Sequence, residues 1–426
     1  MDLRLGGRTE SAGLGIDSDA GAGPDRDVDP AGYAIGGLVP RYAARPSDRD
    51  QVAEVLRAAA RERLAVVPWG AGVALAHEPA PARYDLALDL SKLDRIVEYD
   101  PEDFTVTAEC GVTIAGLREA LLSRGQELPL EAPAAGRATL GGVLAADTSG
   151  PRRLRLGAPH DRILGARFVL ADGTLARSGG KVVKNVAGYG THRLLCGSRG
   201  GLALIVEASL KLAPAPAARV ALCYGVDAGT IADAARWAGL PSLEPALTSV
   251  LDTSSAATLP PPARVPGAFT VIIALEDDRP WVAEQESAVS RALGTPHARL
   301  EGETAAALAQ SLADLEEQAG PRLSYTTSGN TPAALAPLLA GLGAARLAFH
   351  APAGRLHVFP DPEDAQALVD AAAVHGFTLR AARGLVDLRP ALPPQTGLIA
   401  LRARIRAALD PEGSMALGER WAAGAL

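Results

Sequence analysis

In Leu64-Ala65-Val66-Val67-Pro68-Trp69-Gly70-Ala71-Gly72-Val73-Ala74-Leu75 an apolar run meets a glycine turn. Leu64 to Val67 predict a short buried strand stopped by Pro68, which has no ladder donor. Gly70-Ala71-Gly72 after a strand invites a nicotinamide-dinucleotide reading, with Asp89 at a suitable distance downstream to bind a ribose. Two features oppose it. The third glycine position is Leu75, and Glu78-Pro79-Ala80-Pro81 interrupts the stretch where a crossover helix must run. Proline breaks helix interiors, and that unit needs its helix because the N-terminus holds the pyrophosphate. The alternative is a loop whose own successive amides face an anion. Small residues then let a phosphate reach the main chain. An ordinary strand-to-strand turn would account for the loop if it stood alone.

It does not stand alone. Thr139-Leu140-Gly141-Gly142-Val143-Leu144-Ala145-Ala146-Asp147-Thr148-Ser149-Gly150 is rich in small residues and hydroxyls and reads as non-periodic. A third element, Gly179-Gly180-Lys181-Val182-Val183-Lys184-Asn185-Val186-Ala187-Gly188-Tyr189, carries two of the four lysines, the others being Lys92 and Lys211. Between them stand Ser149-Gly150-Pro151-Arg152-Arg153 and residues 157–161.

The order of these elements resembles the vanillyl-alcohol-oxidase-type flavoproteins, whose FAD-binding domain is also called the p-cresol-methylhydroxylase (PCMH) type. Within that family, the lysine-bearing run is similar to the FAD-binding subunits of glycolate oxidase (GlcE type). The likeness spans residues 33–216 and the tail Leu409-Asp410-Pro411-Glu412-Gly413.

The resemblance implies an α+β fold, a PCMH-type FAD-binding domain of two subdomains followed by a smaller αβ cap. The expected divisions are a disordered extension over 1–32, the FAD domain over 33–216, the cap over 217–390, and a helix and tail over 391–426 that return to the FAD domain. It also implies a pocket. Pro68, Trp69, Gly70, Ala71, Gly72, Val73, Ala74 and Leu75 would surround the FAD pyrophosphate. Thr139, Leu140, Gly141, Gly142, Ala145, Ser149 and Gly150 would line phosphates and flavin, and Gly157, Asp161, Ile205 and Val206 would complete the pocket through the backbone.

Departures from the family pattern shape the expectation. Related sequences place a hydroxyl residue after the first glycines, where this chain has Val73 and Ala74. One lost hydrogen bond is worth roughly 1–2 kcal/mol, or about tenfold in affinity. Members with covalent flavin carry a histidine near this position, and His77 lies too far along, so FAD is expected to be non-covalent. Gly190 stands where relatives have an acidic residue after Gly-Tyr, and Gly197-Ser198-Arg199-Gly200-Gly201 replaces a Gly-Thr-Leu-Gly run.

A hydroxy-acid oxidase also needs a base for the hydroxyl proton and cations for the carboxylate. The family's histidine-rich cap segment has no counterpart here, and His350, His357 and His375 read as ordinary surface or satisfied core residues. Lys184, Asn185 and Tyr189 are the candidate catalytic groups, with Lys184 placed to offset charge on reduced flavin. A structural loop is the competing reading for them. Arg152, Arg153 and Arg155 could face an anion or simply be solvated.

Composition bounds the rest. The chain has 426 residues, 48% hydrophobic and 21% charged, with a net charge of -7. That balance gives no basis for nucleic-acid binding, which needs clustered positive charge. Three scattered cysteines fall short of an iron–sulfur cluster's usual four ligands, so any cluster belongs to another chain. No metal site is expected. Without an apolar leader or span, the expected location is cytoplasmic, with any membrane association running through partners.

The leading expectation is thus the FAD-binding subunit of a glycolate (2-hydroxy-acid) oxidase or dehydrogenase complex. It would work with a second flavin subunit and an iron–sulfur subunit, the small 2-hydroxy acid being substrate of the complex. The alternatives are a self-sufficient FAD-dependent 2-hydroxy-acid dehydrogenase and a flavin-free scaffold subunit.

Locally, Ser47 is expected to cap a helix bearing Val52, Val55, Leu56 and Ala59. Thr113 should cap another that ends at Gly125. Asp172-Gly173 signals a hairpin, Ala213-Pro214-Ala215-Pro216 a boundary, and the region after it a small sheet with alanine-rich helices.

Overall fold

The computed structural model describes residues 28–418 apart from 77, 79, 182–187, 234–242, 316–319, 328–334, 336–345, 352, 384 and 386–395. Order begins earlier than expected. Val28 and Pro30 are buried, and the Asp29 carboxylate accepts the Ala31 amide to open a turn over Pro30–Tyr33. The rest of the expected extension, and the loop at 390–394, lie outside the described residues.

The chain forms two compact units. One comprises Met1–Ser149, Ala158–Pro214 and Pro394–Leu426, the other Gly150–Gly157 and Ala215–Pro393. Residues 150–157, read from sequence as part of the first domain, therefore cluster with the second unit.

In the first unit, β1 (Tyr42–Ala44), β2 (Val66–Trp69) and β3 (Leu86–Asp89) make a parallel sheet in the order β1-β3-β2. Parallel neighbours need a crossover, supplied between β1 and β2 by the helix Arg49–Arg61, whose Val52, Val55, Leu56 and Ala59 are buried. Its cap is Asp48 and not Ser47. The Asp48 carboxylate accepts from the amides of Asp50 and Gln51, and a charged cap also suits the positive end of the helix dipole. Pro68 does not stop β2 either. It pairs with Leu88 inside the ladder, tolerated because β2 is the edge strand of its three-stranded sheet and the proline's missing donor points away from β3.

A second layer is antiparallel. It contains β4 (Ile96–Asp100), β5 (Thr105–Glu109), β7 (Ile163–Val169), β8 (Leu175–Gly179) and β9 (Leu204–Lys211), in the order β4-β5-β9-β7-β8. The short β6 (Gln126–Glu127) pairs with β10 (Ala213–Pro214). The β7–β8 hairpin turns at Asp172-Gly173 as expected, with Gly173 at φ +80°. Thr113 caps Ile114–Leu122, and Gly125 takes φ +63°.

The stretch read as non-periodic holds a helix, Leu140–Ala146, capped by Thr139 and closed by Asp147 in the left-handed conformation. Seven residues give barely two turns, but Leu140, Val143 and Leu144 are buried at helical spacing. The C-terminal tail joins the first unit. Asp410 accepts the amides of Ser414 and Met415, and the tail then bonds Val66 through Ser414 and Ala416.

The second unit has a larger sheet than expected. Eight antiparallel strands run in the order β14-β11-β13-β12-β16-β17-β15-β18. They are β11 (Ala218–Val226), β12 (Leu247–Asp252), β13 (Phe269–Asp277), β14 (Ala298–Glu301), β15 (Arg322–Thr326), β16 (Arg346–His350), β17 (Arg355–Phe359) and β18 (Thr378–Arg383). Its central strands are buried on both faces, with Leu222 and Val271 in one core and Ala221 and Ile272 in the other. That explains their unbroken apolar runs. No described helix is long and apolar enough to cross a membrane.

Candidate functional site

Beyond β2 the chain makes a tight turn in which Leu75 and Ala76 both donate to the Gly72 carbonyl, at 3.0 and 2.8 Å. The amides of Gly70, Ala71, Gly72, Val73 and Ala74 donate to no acceptor among the described residues. Successive open donors at a half-exposed turn are the material from which an anion nest can be built without a helix. Gly72 has φ +72°, and a Cβ there would lie 2.4 Å from the Trp69 ring. The ring thus occupies the space beneath the turn.

Trp69 is held in place. Its Nε1 donates to the Tyr84 hydroxyl at 2.6 Å, and that hydroxyl donates to the Tyr33 carbonyl at 2.9 Å. The Tyr33 ring meets Trp69 edge-on, with centroids 5.1 Å apart. The Tyr33 hydroxyl donates to Asp89 at 2.6 Å, and Arg45 donates both to Asp89 and to the Tyr33 oxygen at 2.7 and 2.8 Å. Burial first, then Asp89, pushes the Tyr33 phenol up to about 12, and burial likewise raises Tyr84. Asp89, whose distance from the glycines suggested a ribose ligand, is buried and spent inside the protein.

The second glycine element packs against the first. A Cβ on Gly70 would stand 2.1 Å from Thr139 Oγ1, and one on Gly141 2.8 Å from Cys110 Cβ. The first amides of the helix Leu140–Ala146 are all committed. Leu140 donates to Val112, Gly141 to Cys110, Gly142 to Thr139 Oγ1 and Val143 to the Thr139 carbonyl. Leu140, Gly141 and Gly142, expected with Thr139 to line phosphates, therefore present no open amide. Thr139 and the unforeseen helix pack as a buttress against the first loop.

Arg199 ties further segments to this point. Its amide donates to the Ala145 carbonyl at 2.8 Å, and its guanidinium pairs with Glu78 at 2.6 Å. It sits at φ +50°, a conformation costly for a residue with a side chain. Gly200 beside it, at φ +71°, would place a Cβ 2.2 Å from Pro68, and Gly201 lies against Gly418. Pro68, the Leu140–Ala146 helix, residues 197–201 and the tail thus converge. Neither Arg199 nor the Tyr33–Tyr84 contacts were legible beforehand, although an arginine inside a glycine run was a usable signal.

The other expected pocket residues scatter. Ser149 is buried, while Gly150 and Gly157 cluster with the second unit. The Asp161 carboxylate accepts the Ala158 amide at 2.9 Å and lies beside His160, whose Nδ1 is 3.1 Å from Asp147. Ile205 and Val206, consecutive on β9, enter different cores. Successive strand residues face opposite ways, so any shared contribution of the two to a pocket runs through the backbone. A cleft of about 420 Å³ borders Val206, Arg95, Glu109 and Glu207, but it touches neither glycine element, and Arg95–Glu109 and Arg167–Glu207 pair off its charges.

Of the catalytic candidates, Lys184 and Asn185 lie outside the described residues. Tyr189 is 95% exposed, and its carbonyl accepts from the Ser178 hydroxyl and the Thr191 amide. Ser178 also meets His192 Nδ1 at 2.9 Å, and burial first, then Arg193, holds that imidazole below its ordinary value. Arg152 and Arg155 are not open to an anion. Arg152 Nη1 donates to both carboxylate oxygens of buried Glu276 at 3.1 Å, and Arg155 meets Asp277 at 3.0 Å. His350 and His357 are buried, each with Nδ1 bonded to a serine on a neighbouring strand, Ser249 and Ser324. Among the described residues no cluster of three or more metal-ligand side chains occurs.

Residues 40–179 match the family described as FAD binding domain. That match covers about a third of the chain and marks these residues as similar to FAD binding domains. The fold is similar to that of p-cresol methylhydroxylase with substrate bound, with a TM-score of 0.69 at 18% identity over 91% of this chain and 89% of that one. Among curated relatives, the chain is 30% identical over 252 residues to glycolate oxidase subunit GlcD of Bacillus subtilis (strain 168), covering 57% of this chain and 52% of the relative. It is 44% identical over 128 residues to glycolate oxidase subunit GlcE of Escherichia coli (strain K12), covering 30% of this chain and 37% of the relative. The chain thus spans about half the length, or less, of these relatives. The open amides of the first loop fit the diphosphate of FAD, since oriented N–H groups supply the field that a lysine otherwise would.

Proposed function

We propose that this chain is the FAD-binding subunit of a glycolate or related 2-hydroxy-acid oxidase or dehydrogenase complex. The observation that carries the reading is the row of five open amides, Gly70 to Ala74, inside the matched FAD domain. Likeness to both glycolate oxidase subunits supports the substrate class and the partnership with a second flavin subunit. An iron–sulfur subunit would receive the electrons, since this chain's Cys110, Cys196 and Cys223 are three in number and two of them are buried.

FAD, when bound, supplies a two-electron acceptor for the hydride of the hydroxy acid. The chain's own residues would do the holding. Amides 70–74 bind the diphosphate, Trp69 keeps the turn in shape, and Arg199 with Thr139 fixes the segments around it. Lys184 is the candidate to offset charge on the reduced flavin, with Asn185 and Tyr189 beside it in sequence. With no histidine among residues 68–76, the flavin is expected to be held non-covalently.

The test is a spectrum. The purified chain should show a flavin band, and acid precipitation should leave FAD in the supernatant. Glycolate should bleach that flavin only when the partner subunits are added. Bleaching at enzyme-like rates by the chain alone would sink the dependent-subunit reading. A colourless protein that takes up no added FAD would favour the flavin-free scaffold, the reading motivated by Val73 and Ala74.

A further inference from the structure

The FAD family match begins at residue 40, yet the first glycine loop rests on a residue that precedes it. Tyr33 belongs to the turn Pro30–Tyr33. Its ring abuts Trp69 edge-on, its carbonyl accepts from Tyr84, and its hydroxyl is locked by Asp89 and Arg45. Tyr84 in turn fixes the Trp69 indole, and the indole fills the space under Gly72. The five open amides have no helix to align them, so their direction depends on what lies beneath the turn.

We propose that Tyr33, Tyr84 and Asp89 form a buried clamp that orients Trp69 and thereby sets the affinity of the Gly70–Ala74 amides for the FAD diphosphate. These are positioning residues and touch no reacting atom. The physical argument is preorganisation. A nest already shaped in the free protein spends no binding energy on ordering itself. The two tyrosines and the aspartate are worth more than ordinary core residues because a polar network is rigid only when every member is satisfied. Unloading one hydroxyl frees the indole to turn, and the loop above it follows.

This inference rests on the FAD reading, and its test separates the two. Full-length Tyr84→Phe, Tyr33→Phe, Trp69→Phe and the Tyr84→Phe/Trp69→Phe double variant are stripped of flavin and titrated with FAD, ADP and riboflavin. Binding is followed by protein and flavin fluorescence, and apo stability by urea unfolding. Each single variant should bind FAD and ADP about tenfold more weakly, in the same ratio, with riboflavin affinity unchanged. Because Tyr84 acts through the indole N–H, the double variant should be no weaker than the worse single one. Unaltered FAD and ADP affinity overturns the clamp. So does an equal fall for riboflavin, which would mark a general loosening of the fold. Wild-type protein that binds neither FAD nor ADP overturns the FAD reading and the clamp together.

Discussion

A methyl group at residue 70 would stand 2.1 Å from Thr139 Oγ1 and 3.1 Å from Thr139 Cβ and Cγ2. Gly70→Ala therefore tests the packing of one glycine element on the other. Rotating the threonine removes the oxygen but swings a methyl into the same space. It also gives up the cap on the Gly142 amide, a loss of about 1 kcal/mol. Keeping the rotamer instead forces the loop away, and overpacking of this kind costs roughly 1–3 kcal/mol. Gly70→Ala should accordingly destabilise the protein by about 1–3 kcal/mol, and Thr139→Ala by about 1 kcal/mol. In the double variant the new methyl meets no hydroxyl. Its loss should sit close to that of Thr139→Ala, leaving a coupling of about 1–3 kcal/mol against a scatter of roughly 0.3–0.5 kcal/mol for independent sites. Urea unfolding with linear extrapolation reads all four proteins. Strict additivity would refute the contact and the buttressing role assigned to Thr139.

Further outcomes follow from the same structure. Glu276→Gln leaves Arg152 and its neighbour Arg219 without a buried counter-charge and should cost about 3–5 kcal/mol, whereas Asp277→Asn, at a largely exposed pair, should cost below about 1 kcal/mol; equal effects would contradict the burial difference. His192 is held below the free-histidine value of 6.5, so as pH falls through that value the unfolded chain takes up the proton first. Stability should then drop until the folded-state value is passed, and His192→Gln should flatten that part of a urea-midpoint profile against pH. Burial lifts every thiol, Cys196 and Cys223 to about 12. A thiol reagent at about pH 8 should label the native protein only slowly and all three cysteines in denaturant; a fast native thiol would argue against the buried placement.

Much of the first unit was readable from local pattern. Proline placement after Gly70-Ala71-Gly72 ruled out a crossover helix, Thr113 and Gly125 marked both ends of one helix, and Asp172-Gly173 marked a hairpin. These signals work because caps and turns are decided by a few adjacent residues. The expectation of an FAD pocket came from the order of three such elements, and residues 40–179 match that family.

What pattern could not supply was the pairing of residues distant in the chain. Asp89 looked like a ribose ligand by spacing and is instead bonded to Tyr33, 56 residues away. Arg152 looked free for an anion and is spent on Glu276, 124 residues away. Thr139 looked like a phosphate ligand, but its hydroxyl caps a short helix whose first amides are taken by the neighbouring chain. Sequence alone marked several of the loops, caps and strands, and suggested a first loop that offers backbone amides to an anion. Tertiary structure decided which polar groups remain open, because a buried donor or acceptor is claimed by whichever partner folding brings within reach. The amides of Gly70 to Ala74, which donate to no acceptor among the described residues, are the ones proposed to meet a ligand.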